Sequence, residues 1–161
     1  MKDVRPYSEH QIREACFVTN ELLGAEVLVS AVELGRRLGV NEGTVYARER
    51  QGELFSVLSL PSASARGFPL FQALPAIRGA ILSDVLALLV DRDGNFLGGP
   101  AAHTFFCAPI YELAFLTPVE LLVGAITGKS ESADALSRKP RIDRQWRVKN
   151  AAKVFSDVCS A

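Results

Sequence analysis

SAVELGRRLGVNEGTVYARERQGELFSV (Ser30–Val57) holds two short helical patterns that meet at Gly39-Val40. Ser30 can cap a first helix running to Leu38, and Asn41 can cap a second running to Gln51. Two helices that cross steeply need a turn with little side-chain bulk and a positive φ, which Gly39 supplies. Val32, Leu34, Leu38, Val40 and Val45 form the inward set that glues the pair. The outward set of the second helix is then Asn41, Thr44, Tyr46, Ala47 and Arg50, with Arg48 at one side. Short hydrogen-bonding, aromatic and guanidinium groups suit phosphate contact and base-edge readout. The helix N-terminus adds free N–H groups for a phosphate.

Working outward, LFSVLSL (54–60) reads as a strand, PSASARG (61–67) as a loop and FPLFQ (68–72) as a return strand. EVLV (26–29) is short and β-prone, and Ser8 with Gln11 opens a helix with Ile12, Ala15, Cys16, Leu22 and Leu23 at helical spacing. Beyond the hairpin, helical patterns cover about Leu74–Val90 and a segment starting near Ala101 or His103 and ending before Leu116. Thr117-Pro118-Val119-Glu120 is a capping-box start for a helix running to about Ile126. GKSESADALSRKP (128–140) is polar and reads as mobile. The tail from Arg141 carries Ile142, Trp146, Ala152 and Phe155 on one side, an amphipathic docking helix. The expected fold is therefore mainly α with a small β-hairpin wing. It comprises a DNA-binding-like unit over residues 1–72 and a helical half over residues 73–161.

Across 161 residues, 48% hydrophobic content is enough for a real core, and the formal net charge is zero. A neutral chain speaks against non-specific polyanion binding, so any nucleic-acid contact must come from a local patch. Residues 30–72 hold five basic and four acidic groups, and residues 129–161 hold eight basic and four acidic. The longest apolar run, Val85–Val90, is far short of a membrane span. The N-terminus lacks the apolar region of a signal peptide. Cys16, Cys107 and Cys159 are odd in number and widely spaced, as expected of reduced thiols in a cytoplasm.

Catalysis needs convergent groups, and none is legible. His10 and His103 are the only histidines, and the spacing of His103 and Cys107 is generic on a helix with no acidic orienter. DRDGN (91–95) opens like a calcium loop, but Ala102 stands where the bidentate glutamate belongs. GNFLGGP lacks the Lys-Ser/Thr of a phosphate loop. Phe68, Phe71, Phe105, Phe106 and Trp146 read as core. The chain is expected to be no enzyme and to need no metal or cofactor.

LVSAVELGRRLGVNEGTVYARERQGELFSV resembles the winged helix-turn-helix of the excisionase and MerR-like class. The likeness covers about residues 27–72, and VYARERQGELF, a charged helix end followed by glycine and a wing strand, is its most specific part. It implies sequence-specific binding of double-stranded DNA as a homodimer, with Arg66 near the wing tip. Two residues depart from the pattern: Gly35 where alanine is usual and Arg48 where an apolar or aromatic residue is common. Gly43 in the first turn of the second helix costs roughly 1 kcal/mol relative to alanine.

FFCAPIYELAFLTPVELLVGAI (105–126) is similar to the toxin-binding domain of Xre, MbcA and ParS antitoxins, through Phe105, Phe106, Pro109, Leu113, Thr117-Pro118, Glu120, Leu121 and Leu122. That motif is short, and the family's usual glycine is replaced by Ala114 or Phe115. It implies that the helical half, over about residues 74–127, binds a toxin-like partner protein.

Overall fold

The computed structural model describes residues 28–58 and 66–160. The helix expected after Ser8 lies outside the described residues, as does the loop expected at 61–67 up to residue 65, while its last two residues, Arg66 and Gly67, are strand. Strand β1 (Leu28–Val29) leads into helices α1 (Ala31–Leu38) and α2 (Glu42–Arg50), then strands β2 (Val57–Leu58) and β3 (Arg66–Pro69). Five helices follow: α3 (Ala80–Leu88), α4 (Gly99–Cys107), α5 (Pro118–Val123), α6 (Glu131–Ser137) and α7 (Arg141–Cys159). The described chain is thus mainly helical with a small antiparallel sheet, in the order β1-β3-β2.

The helix pair is set by its caps. Ser30 Oγ accepts a hydrogen bond from Glu33 N, and Asn41 Oδ1 accepts one from Thr44 N at 2.8 Å. Gly39 closes α1 in the left-handed region at φ 72°. Val40 N then donates to Gly35 O, drawing the turn against α1. This close approach explains glycine at position 35: a Cβ there would lie 2.6 Å from Val40 O. Leu34 and Val45 are fully buried between the helices. Val32, expected inward, is instead 60% exposed, because α1 buries Ala31, Leu34 and Gly35.

The sheet is shorter than its sequence pattern. Val57 pairs with Gly67 and Leu58 with Arg66, while β1 closes the other edge of β3. Leu54 and Phe55 are buried but are not strand residues. The buried Gln72 side chain takes over the ladder's role at Phe55. Its Oε1 accepts from Phe55 N at 2.9 Å, and its Nε2 donates to Phe55 O at 2.9 Å. The expected return strand likewise ends at Pro69, and Leu70–Ala73 forms a 3-10 turn.

The core runs unbroken from the helix pair into the helical half. Phe55 stacks on Phe106 with ring centroids 5.9 Å apart, and Phe71 packs on the same ring at 5.2 Å. Several elements differ from their sequence pattern. The block 74–90 is helical only from Ala80, since Gly79 adopts φ 95° and breaks the run. Helix α4 starts at Gly99, earlier than expected. The Thr117 capping box forms as expected, but α5 stops at Val123, where Gly124 takes φ 75°. The polar segment 128–140, expected to be mobile, holds helix α6, capped by Ser130 and anchored by buried Ala133 and Leu136. Helix α7 does dock, through Val148, Ala151 and Ala152. However, Ile142 and Trp146 are 75% and 61% exposed and belong to its outer face. Among the described residues, no single helix is long and apolar enough to cross a membrane.

Candidate nucleic-acid interface

The outward face of α2 is narrow and built from small groups. Gly43, Ala47 and Arg50 follow each other at steps of four and three residues, so they share one face of the helix. Val45 is buried on the opposite side. Gly43 and Arg50 are exposed, Ala47 is half-exposed, and Thr44 flanks the stripe. A stripe of this kind lets a helix axis come close to a flat or concave surface, with one guanidinium projecting at its C-terminal end.

Asn41 sits at the N-terminal end with its side-chain oxygen already committed. That oxygen accepts from both Thr44 N and Thr44 Oγ1, at 2.8 and 3.0 Å. Its amide N–H groups remain as donors. Ala47 and Arg50 thus share the outward stripe with Gly43, Thr44 flanks it, and Asn41 caps the N-terminal end of the helix.

Tyr46, Arg48 and Arg66 are arranged differently. The Tyr46 ring turns toward the sheet and meets Phe68 edge-on at 6.1 Å. Arg48 is half-buried and lines a crevice with Leu38, Glu53 and Arg78, away from the Gly43–Arg50 stripe. Arg66 opens β3, where it pairs with Leu58. Its guanidinium forms an ion pair with Glu49 of α2 and lies 6.0 Å from the centre of the Tyr46 ring. Tyr46, Glu49, Arg66 and Phe68 thus clamp the hairpin onto α2.

Some of the charges around this surface are matched. On α1, Glu33 is bridged by Arg36 and Arg37. The Arg36 hydrogen bond holds the Glu33 carboxyl below the usual range, partial desolvation opposes that, and Arg37 adds to the lowering. Arg50 forms no ion pair among the described residues, which leaves it as the outward cation of α2. It stands on the rim of a groove of about 970 Å³ that separates the end of α2 from α3 and the start of α4.

The described residues hold no cluster of three or more His, Cys, Asp or Glu that could bind a metal ion. The Asp91 carboxylate is turned onto its own loop, where Oδ1 accepts from Asp93 N and Asn95 N, both at 2.9 Å. That geometry makes DRDGN a tight connector closed by the Val90–Phe96 bridge.

A second feature lies in the helical half. Tyr111 and Phe115 are 77% and 64% exposed, and their rings meet edge-on at 5.6 Å. Between α4 and α5 the chain takes φ 53° at Ala114 and 63° at Phe115, a region that residues with a Cβ rarely adopt. No protein-family model, curated protein or solved structure matches this chain.

Proposed function

We propose that this protein binds double-stranded DNA in a sequence-specific manner, as a transcriptional regulator of the winged helix-turn-helix type. The observation that carries the reading is the outward stripe of α2. A nine-residue helix held across α1 by the Gly39 turn presents Gly43, Ala47 and Arg50 in line. Its small residues permit entry into a major groove, where Arg50 can bond a guanine edge bidentately. Asn41 and the N-terminal N–H groups of α2 then face a phosphate. A single unit of this size touches a short site, so a homodimer on two half-sites is the expected binding form.

The test is fluorescence anisotropy on duplexes selected from a random pool. Arg50→Ala should weaken the selected site by about 1–3 kcal/mol and relax preference at one base pair. An absence of binding to any duplex at low salt would sink the reading.

The exposed aromatic pair, beside a strained turn, favours a second, compatible reading: the helical half binds a partner protein, in the manner of an antitoxin that neutralises a toxin-like enzyme. Large exposed rings at a loop held in a positive-φ conformation are a poor choice for stability alone. The positive φ angles fall at Ala114 and Phe115, and the resembled antitoxin domains carry a glycine at one or other of these positions. Replacing Tyr111 and Phe115 together by serine should leave the melting temperature within a few degrees, because both rings are solvent-facing. A co-expressed neighbouring gene product should copurify stoichiometrically with the parent chain and be lost with the double variant. Equal retention by both chains would remove this surface from the reading.

A further inference from the structure

We infer that Glu49 acts as an internal stand-in for phosphate, neutralising Arg66 and keeping the wing's cation out of the electrostatic contact with DNA. This rests on the DNA-binding reading above.

The two residues are 17 positions apart and come from different elements, α2 and β3, yet their side chains form a direct ion pair. The carboxylate is the inner partner, 16% exposed, and the guanidinium the outer one, 53% exposed. The Tyr46 ring beneath Arg66 and the Tyr46–Phe68 contact fix the place where the guanidinium lies. Arg66 is therefore held at the surface between wing and α2 with an anion already bound to it.

A cation contributes to the salt dependence of DNA binding by displacing counterions condensed on a phosphate. When the cation carries its own carboxylate, the pair is close to neutral, and its approach to a phosphate releases little. The wing's most conspicuous charge is thus silent. Affinity then depends on Arg50 of the α2 stripe, with Thr44 beside it and Asn41 at the N-cap. A chain with zero net charge and a silenced wing avoids the sequence-independent binding that an unpaired wing arginine would add.

The experiment is a salt titration of duplex binding by anisotropy, comparing the parent chain with Glu49→Gln, Arg66→Ala and the Glu49→Gln/Arg66→Ala pair. Glutamine keeps an oxygen that can accept from Arg66 and removes the charge. Glu49→Gln should tighten binding to selected and unrelated duplexes alike, by roughly threefold to tenfold at moderate salt. It should steepen the log–log slope by about one counterion. Arg66→Ala alone, which leaves the Glu49 carboxylate without its partner, should weaken binding without steepening the slope, and the double variant, with neither charge, should return to the parent slope and affinity. A parent-like slope and affinity for Glu49→Gln, on a chain that does bind DNA, would overturn this inference and leave the DNA reading standing. Weakened binding by Glu49→Gln would overturn it too, since Glu49 would then be aiding the contact. A parent chain that binds no duplex at low salt would overturn both. Circular dichroism of each variant should overlay that of the parent, which separates these outcomes from unfolding.

Discussion

Gly99→Ala should lower stability by about 3 kcal/mol or more, while Gly43→Ala, the same chemical change, should raise it by roughly 0.5–1 kcal/mol. Gly99 opens α4, and a Cβ there would overlap the backbone carbonyl oxygen of Ser56, just before β2. Neither partner has a flexible end that can swing aside. Relief requires α4 to move as a body, and α4 carries Phe105 and Phe106, both fully buried. Moving it would disturb the Phe55–Phe106 stack, through which the hairpin region joins the helical half. Gly43 is exposed in the first turn of α2, and its nearest neighbour to an added Cβ is Asn41 Oδ1 at 3.4 Å. Alanine there meets ordinary contact distance and restricts the unfolded chain. Urea unfolding with a shared m-value measures both changes. A Gly99→Ala midpoint equal to the parent's would mean that α4 and the Ser56 segment are not in tight contact.

Local chemistry was readable in the chain, and long-range chemistry was not. Ser30, Gly39, Asn41 and Thr117 each act within a few residues of themselves, and the structure places all four as caps. Periodicity was weaker where nearly every position is apolar. Over 74–90 it could not mark where the helix begins, because that was decided by Gly79. The opposite problem arose at 128–140, where polarity hid a helix needing only Ala133 and Leu136 as anchors. On the candidate interface, Asn41, Thr44, Ala47 and Arg50 follow from helical geometry once Val45 is taken as buried. Tyr46 and Arg48 were misdirected because their partners, Phe68 and the Arg78 crevice, come from elements far along the chain. No spacing rule reveals the Glu49–Arg66 pair either. Finding it required knowing that β3 returns beside α2.

Arg144→Ala should destabilise the chain by about 3–5 kcal/mol, a large share of the marginal stability of a domain this size. Arg144 is 2% exposed, on the docked face of α7. Its Nη1 donates to Leu121 O and Leu122 O, each at 2.8 Å, and its Nε donates to Lys139 O at 2.9 Å. Leu121 and Leu122 lie in the last turn of α5, where carbonyls have no partner within the helix and carry its negative end. One guanidinium therefore ties the end of α5 and the start of α7 together around Gly124. A side chain on Gly124 would collide with it, so glycine there is required by space as well as by its φ of 75°. Removing the guanidinium leaves two buried carbonyls and the part-buried Lys139 carbonyl without this donor and opens a cavity the size of its side chain. Arg144→Met refills much of the volume but none of the hydrogen bonds, so it should recover only a minor part of the loss. Arg144→Lys keeps the charge and a donor but not the planar fork, and should fall between the methionine variant and the parent. Chemical denaturation of the three variants orders them. A methionine variant as stable as the parent would show that packing, and not the capping of α5, is what Arg144 contributes.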